Sequence, residues 1–219
     1  MGKLCDDVLK LEEKLFRERR ALTVIVARKE SDDALLIGAD KMNIESDLLK
    51  IGGASKLFKH HKENIVWGCS GNREIARYEF SPWLQLLDVG NDWQVFKKRV
   101  ADKIAELNGE QRARMRKAGV EPDENSVISC LLVGWIKEEP QIIEFTHDGK
   151  IDSYIKDGFQ AIGCKVIPWS ANIAMSLITG VDNENKLKII LKTTLSLAKD
   201  CGGGYDIMRV RKDSVENVQ

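Results

Sequence analysis

The chain of 219 residues lacks an excess of charge of either sign. Its 34 Lys and Arg side chains balance 34 Asp and Glu side chains, so the formal net charge is +0. A protein that binds nucleic acid or an acidic membrane through its overall charge is expected to carry a basic excess. The balance supports neither kind of partner, and we expect neither nucleic acid nor a membrane among the partners of this protein.

Long apolar runs and cysteine pairs are also missing. No stretch reaches the roughly 18 uninterrupted apolar residues of a membrane-spanning helix, and residues 1–20 alternate charged residues with Leu and so lack the apolar core of a secretion signal. The five cysteines are odd in number and form no CxxC motif, which is typical of reduced thiols. These absences predict a cytoplasmic protein.

Residue patterns that hold a metal or a cofactor are absent as well. His60 and His61 are adjacent and His147 is remote, so no two imidazoles have the spacing that places them on one helix face. We interpret all three as solvated loop histidines. The glycines at 52–53 and 202–204 lack the Lys-Ser/Thr pair of a phosphate-binding loop. We therefore expect neither a metal nor a cofactor.

What the chain does contain is enough apolar sequence for one globular domain. Hydrophobic residues make up 43% and charged residues 31%, which suits a single domain with its own core. The apolar pattern alternates between short strand-like segments and longer helical ones. It predicts strands at 22–27, 34–39, 55–59, 64–69, 127–136, 141–146, 159–163 and 205–211, and helices at 6–20, 73–87, 92–118, 169–178 and 183–199.

The order of these elements predicts an α+β fold, because strands grouped into hairpins are separated by pairs of helices. Two stacked antiparallel sheets would bury the all-apolar strands, and each helix pair would cover one outer face. The result is a four-layer αββα sandwich. We place this domain at residues 22–212, after an N-terminal helix or propeptide at 1–21 and before a C-terminal tail at 213–219.

Four segments near the start resemble a known family. They are LTVIVA at 22–27, LLIGADK at 35–41, SKLF at 55–58 and WGCSG at 67–71. Together they are similar to the proteasome family of N-terminal-nucleophile (Ntn) hydrolases, which includes the β and α subunits of the 20S particle and the bacterial HslV peptidase. The resemblance extends from about Leu22 to about Val210 and implies the same αββα sandwich.

The resemblance also implies a chemistry. A mature β subunit of the family begins with Thr, whose hydroxyl is the nucleophile and whose own α-amino group is the base. A Lys lowers the proton affinity of the amine, and an Asp holds the Lys. An α-amine has a reference pKa of about 8, which a nearby ammonium lowers. In this chain the Asp corresponds to Asp40 and the Lys to Lys56, whose separation matches that of the family pair.

The position of the nucleophile departs from the family pattern. Counting back from Asp40 by the spacing that separates the Thr and the Asp in the family leads to Val24. The hairpin turn at 29–33 is longer here, so the position of the nucleophile must be shifted by one or two residues. A correction of one residue makes Thr23 the nucleophile after cleavage behind Leu22. A correction of two preserves strand alternation better and puts Leu22 in that position. The family has Gly before its Thr, which allows the strained turn needed for self-cleavage, whereas Leu22 precedes Thr23 here.

Two elements that support the active site in the family are only half preserved in this chain. Its Ser-Gly turn corresponds to Gly163-Cys164-Lys165, in which Cys164 is a weak hydrogen-bond donor. The backbone amide after the glycine is a candidate oxyanion donor. The Asp of its Asp-x-x-Ser motif corresponds to Asp200, but Cys-Gly-Gly follows without the Ser.

Two functions follow from the resemblance. The first is a threonine-type peptidase that hydrolyses peptide bonds inside a self-assembled ring, with a peptide or unfolded protein as substrate and an ATPase unfoldase or regulator as a further partner. Its catalytic residues would be Thr23, Asp40, Lys56, Cys164 and Asp200. The alternative is a non-catalytic structural or gating subunit. In favour of the alternative, the sequence Ala39-Asp40-Lys41 resembles the corresponding sequence of α subunits, although the aromatic-rich N-terminal signature of those subunits is missing from this chain.

Overall fold

The computed structural model describes residues 23–46, 49–52, 55–90, 92–123, 126–136, 138–155, 158–163, 171, 175–176, 178–197 and 204–218. The N-terminal segment 1–21, with its predicted helix, lies outside these residues, and so does most of the predicted helix at 169–178. The strands, helices and contacts that the structure describes all lie within these residues.

The strands, in chain order, are β1 (Val24–Lys29), β2 (Ala34–Asp40), β3 (Met42–Ser46), β4 (Leu49–Gly52), β5 (Leu57–Lys59), β6 (Ile65–Gly71), β7 (Ile128–Ile136), β8 (Glu139–Phe145), β9 (Ile151–Ser153), β10 (Phe159–Gly163), β11 (Tyr205–Arg211) and β12 (Val215–Asn217). A π-helical segment (Ile75–Phe80) continues into helix α1 (Ser81–Leu86). Two longer helices follow, α2 (Trp93–Lys117) and α3 (Asn183–Leu197).

The strands form two large antiparallel sheets and one small ribbon. The first sheet has the order β10-β1-β2-β11-β12, the second has the order β5-β6-β7-β8-β9, and β3 pairs with β4 alone. Strands that are neighbours in the sequence form hairpins in both large sheets. The predicted α+β class, built from two antiparallel sheets, is therefore confirmed.

Three apolar layers show how the sheets and helices stack. Successive residues of β1 point to opposite faces, so Ile25 lies between the two sheets with Ile37 and Leu131. Val26 points the other way, toward Leu187 of α3. The outer face of the second sheet packs against α1, α2 and the π-helical segment in a third cluster that includes Trp67, Phe80, Phe96, Ile104 and Leu132. This stacking confirms the αββα sandwich.

Local sequence explains why α2 begins and ends where it does. The carboxylate of Asp92 caps the helix by accepting hydrogen bonds from the backbone N–H groups of Gln94, at 2.7 Å, and Val95, at 3.4 Å. Arg114, Arg116 and Lys117 lie in the last turn, where the helix dipole favours positive charge. The predicted helix at 92–118 therefore differs from the observed one only at its ends.

The sequence pattern missed four short strands, β3, β4, β9 and β12. All three residues of β9 are exposed, and a strand without a buried face has no alternation of apolar and polar residues to reveal it. β12 pairs with β11, with Arg209 opposite Glu216. The first sheet therefore continues past residue 212, where we had predicted that the domain ends.

His60 is not the solvated loop residue that we predicted, since it is only 4% exposed. Its Nδ1 accepts hydrogen bonds from the backbone N–H groups of Lys62, at 3.2 Å, and Glu63, at 2.9 Å. Its Nε2 lies 2.9 Å from the carbonyl oxygen of Leu87 and donates to it. Because Nδ1 is an acceptor, the ring is neutral with its proton on Nε2. His60 thus joins the turn after β5 to the end of α1, whereas His61 is exposed as predicted.

Candidate active site

Three of the five predicted site residues, Thr23, Asp40 and Lys56, meet where the two large sheets approach each other. Asp40 is the last residue of β2 and Thr23 directly precedes β1. The pairing of Ile25 with Ala39 brings the start of β1 beside the end of β2. Lys56 directly precedes β5, the edge strand of the second sheet. The site therefore draws side chains from both sheets.

Lys56 is the centre of the hydrogen bonds in this site. Its Nζ donates to Asp40 Oδ2 at 2.7 Å and to Thr23 Oγ1 at 3.3 Å. The other carboxylate oxygen, Asp40 Oδ1, accepts from the backbone N–H of Val24 at 3.0 Å. Both oxygens of Asp40 thus have partners, which fixes the carboxylate and, through it, the position of the ammonium group.

Burial makes these contacts stronger than similar contacts on a surface. The side chain of Asp40 has no exposed surface, that of Lys56 is 14% exposed, and Thr23 is 8% exposed. A buried carboxylate is unfavourable unless a cation and hydrogen bonds compensate for its lost hydration. Lys56 and Val24 supply this compensation. An ammonium held beside a hydroxyl stabilises the negative charge that the oxygen acquires when it loses its proton.

A second ion pair lies beside the site, and sequence reasoning did not find it. Lys41 Nζ lies 2.6 Å from Asp206 Oδ1, and the backbone N–H of Lys41 donates to the carbonyl oxygen of Gly204 at 3.0 Å. Asp206 lies between the apolar residues Tyr205 and Ile207 of β11 and is buried, and an acidic residue in such a place is a signal that could have pointed to a buried partner. Together these contacts fix the end of β2 against the start of β11.

Cys164 and Asp200, the other two predicted site residues, lie outside the described residues, as does Leu22. The structure does describe Gly163, which is the last residue of β10 and pairs with Val24. The chain that leads into Cys164 therefore runs beside the start of β1, where Thr23 lies.

None of the helices in the described part of the chain is long and apolar enough to cross a membrane. Among the same residues, no group of three or more His, Cys, Asp and Glu side chains is placed to hold a metal ion.

Comparison with known proteins gives no match by family model or to a curated sequence, but solved structures do match. An Anbu (ancestral beta-subunit) from Yersinia bercovieri has a TM-score of 0.68 at 15% sequence identity, over 90% of this chain and 87% of that chain. HslV from Trypanosoma brucei has a TM-score of 0.58 at 17% identity, over 86% of this chain and 99% of that chain. The chain has the proteasome-like Ntn-hydrolase fold.

An Anbu (Gly-1) mutant from Hyphomicrobium sp. strain MC1 gives the same result, with a TM-score of 0.68, 15% identity and coverage of 90% of this chain and 87% of that chain. The resemblance to the proteasome and HslV, first inferred from four short segments, is thus confirmed at the level of the fold. Because a fold can carry more than one function, the activity has to be argued from the residues of the site.

Proposed function

We propose that this chain is a proteasome-like subunit that acts as a threonine-type peptidase, with Thr23 as its nucleophile. The observation that carries the proposal is the position of Lys56 Nζ, 3.3 Å from Thr23 Oγ1 and 2.7 Å from Asp40 Oδ2. This contact supports the alignment that is shifted by one residue to allow for the longer hairpin turn, which makes Thr23 the nucleophile. The reason is that the hydroxyl of Thr23 is the group that contacts Lys56. The competing residue, Leu22, has no hydroxyl group to offer.

In this proposal the base is created by removal of the segment before Thr23. Hydrolysis of the peptide bond between Leu22 and Thr23 would free an α-amino group on the residue that carries the nucleophile. An amine with a pKa near the working pH can take the hydroxyl proton. The ammonium of Lys56 favours the neutral form of this amine by charge repulsion. Asp40 acts as a positioning residue that holds Lys56.

The proposed reaction is acyl transfer to Thr23 followed by hydrolysis. Thr23 Oγ1 attacks the carbonyl carbon of the substrate, and its proton passes to the α-amine. The tetrahedral intermediate collapses, the C–N bond breaks, and the departing amine takes that proton. Water then attacks the ester, which releases the acid and restores the hydroxyl. We assign the oxyanion to the backbone N–H of Cys164, with Cys164 and Asp200 as supporting residues.

We further propose that copies of the chain assemble into a ring in the cytoplasm and admit a peptide or an unfolded polypeptide, with an ATPase unfoldase or regulator as partner. Exposed apolar side chains on the helical segments that cover the second sheet support self-association, since Leu86 is 79% exposed and Tyr78 is 61% exposed. The net charge of +0 offers no electrostatic attraction to another kind of macromolecule.

Intact-mass measurement of the assembled protein, combined with a fluorogenic-peptide assay, tests this function. We expect the mass of a chain that begins at Thr23, together with peptide cleavage that Thr23→Ala abolishes. Thr179→Ala, which changes an exposed threonine, is the matched control and should cleave peptide at the unmodified rate. Cleavage that survives Thr23→Ala would contradict the assignment of the nucleophile.

The second candidate is a non-catalytic subunit that keeps the Asp40–Lys56 pair for structure. It is favoured by the Leu that stands before Thr23 in place of Gly, and by the missing Ser after Asp200. This candidate predicts an assembled protein whose mass still includes Leu22 and which cleaves no peptide. The two measurements therefore separate the two functions.

A further inference from the structure

A pocket lies at the far end of β1 from the candidate active site. Its volume is about 530 Å³, and it is lined by residues 28–32, at the end of β1 and in the turn that follows, and by Gly158, Phe159, Met175 and Lys186. Thr23 and Arg28 are five residues apart along an extended segment, and strands rise about 3.3 Å per residue. The pocket is therefore on the order of 17 Å from the proposed nucleophile and is a separate feature of the molecule.

Arg28 is the unusual residue of this pocket, because its guanidinium group is partly buried without a carboxylate partner among the described residues. Its Nη1 lies 2.8 Å from Met175 Sδ, and a thioether is only a weak acceptor. Its Nε is buried and has no hydrogen-bond partner in the described part of the chain. Burial lowers the pKa of Arg28. A cation that loses hydration without gaining a counter-ion is unfavourable.

The two acidic residues that line the pocket, Glu30 and Asp32, are already paired with other cations. Asp32 Oδ1 lies 2.6 Å from Lys29 Nζ. The carboxylate of Glu30 accepts two hydrogen bonds from Arg209, at 2.6 and 2.8 Å. Neither carboxylate is therefore free to neutralise Arg28.

Lys186 brings a second positive charge to the same pocket. Within the described part of the chain it has no carboxylate partner, whereas Lys188, on the same helix, lies 2.6 Å from Glu184. Lys186 is in the first turns of α3, where the helix dipole is positive and disfavours a cation. A residue that breaks a local rule in this way often has a function that compensates for the cost.

We propose that this pocket binds a small dianionic oxyanion of the phosphate class between Arg28 and Lys186. Two cations that have no carboxylate partner among the described residues match two negative charges, and a guanidinium group donates two parallel hydrogen bonds to a tetrahedral oxyanion. The anion supplies a counter-ion to Arg28, which has none among the described residues, and so stabilises the hairpin between β1 and β2.

Isothermal titration of the full chain with inorganic phosphate, at constant ionic strength, tests the proposal. We expect saturable binding that weakens at least tenfold in Arg28→Met and in Lys186→Gln. Lys192→Gln is the matched control, because it removes an exposed cation from the same helix outside the pocket, and its affinity should equal that of the unmodified chain. Sulfate should compete with phosphate, and the monoanion acetate should compete poorly.

The outcome remains informative if Arg28→Met fails to fold, because Lys186 is at the surface of α3 and its replacement leaves the core intact. Unchanged phosphate affinity in Lys186→Gln, or no binding by the unmodified chain, would overturn the proposal. Thr23→Ala should bind phosphate with unchanged affinity. The anion site can thus fail or succeed independently of the proposed peptidase activity.

Discussion

The ammonium nitrogen of Lys56 lies 2.7 Å from Asp40 Oδ2, in an ion pair whose aspartate has no exposed surface. The two residues are held by different sheets, since Asp40 is the last residue of β2 in the first sheet and Lys56 directly precedes β5 of the second. The pair therefore joins the two sheets of the sandwich at the point where Thr23 lies. Removing either partner affects stability as well as any chemistry at Thr23, but the two partners are not equivalent.

Lys56→Met should destabilise the protein more than Asp40→Asn. The first change leaves a fully buried carboxylate without a counter-ion, which costs about 3–5 kcal/mol of unfolding free energy. The second removes the charge but keeps an oxygen that can accept from the Val24 N–H, and the lysine left behind can extend toward solvent. Urea unfolding of the two variants measures the difference. Equal losses would show that the burial of Asp40 is not the dominant cost.

Thr23→Ser and Thr23→Val should separate the hydroxyl from the shape of residue 23. The serine variant keeps an oxygen beside Lys56 and should retain peptide cleavage, whereas the nearly isosteric valine variant should lose at least about a thousandfold in rate, as expected when a nucleophile is removed. Peptide assays on assembled protein measure the rates. Equal activity of the two variants would exclude the hydroxyl as nucleophile.

Asn108→Ala should destabilise the fold without touching the candidate site. Asn108 is fully buried, its Nδ2 donates to the carbonyl oxygens of Ile128 and His147, both at 2.9 Å, and its Oδ1 accepts from the Ile128 N–H at 2.8 Å. The alanine variant leaves these backbone groups unsatisfied, at a cost of about 2–4 kcal/mol. Asn185→Ala, at an exposed position of α3, is the control for urea unfolding and should have a much smaller effect.

Glu144→Gln should make stability depend less on pH. Burial raises the pKa of Glu144 above its ordinary value of 4.5, although Gln160 and Tyr154 donate hydrogen bonds to its carboxylate. When the pKa of a carboxyl group is higher in the folded state than in the unfolded state, the group contributes its full stabilisation at pH values below the ordinary, unfolded-state pKa. This contribution is lost as the pH rises through the raised pKa of the folded state. The glutamine variant should therefore gain stability relative to the unmodified chain from about pH 4 toward neutrality.

Thermal or urea unfolding across this pH range measures the effect on Glu144→Gln. Glu121→Gln, at an exposed position, is the control, and its stability should follow that of the unmodified chain. A difference between Glu144→Gln and the unmodified chain that stays constant from pH 4 to neutrality would contradict the prediction.

Parts of the fold could be read from the sequence because they have a strong apolar pattern. β10 and β11 have the predicted bounds, and each contains several buried residues. The bounds of α2 are close to the predicted ones, because its buried residues repeat with the period of a helix. The edge strands β9 and β12 have little or no buried surface, so no apolar alternation marks them. The π-helical segment also escaped prediction, because its buried residues follow nearly the same spacing as an α-helix.

The sequence by itself determined the layers of the sandwich, since two hairpin-rich apolar sets separated by helices have few other ways to bury their surfaces. It also supplied Asp40 and Lys56 as partners through the resemblance to proteasome subunits. Only the tertiary structure decided that Thr23 lies beside Lys56, because the register of β1 against β2 and the approach of the two sheets are long-range properties. The same holds for the buried His60 and for Arg28, which has no carboxylate partner among the described residues, because the surroundings of both side chains come from segments far apart in the chain.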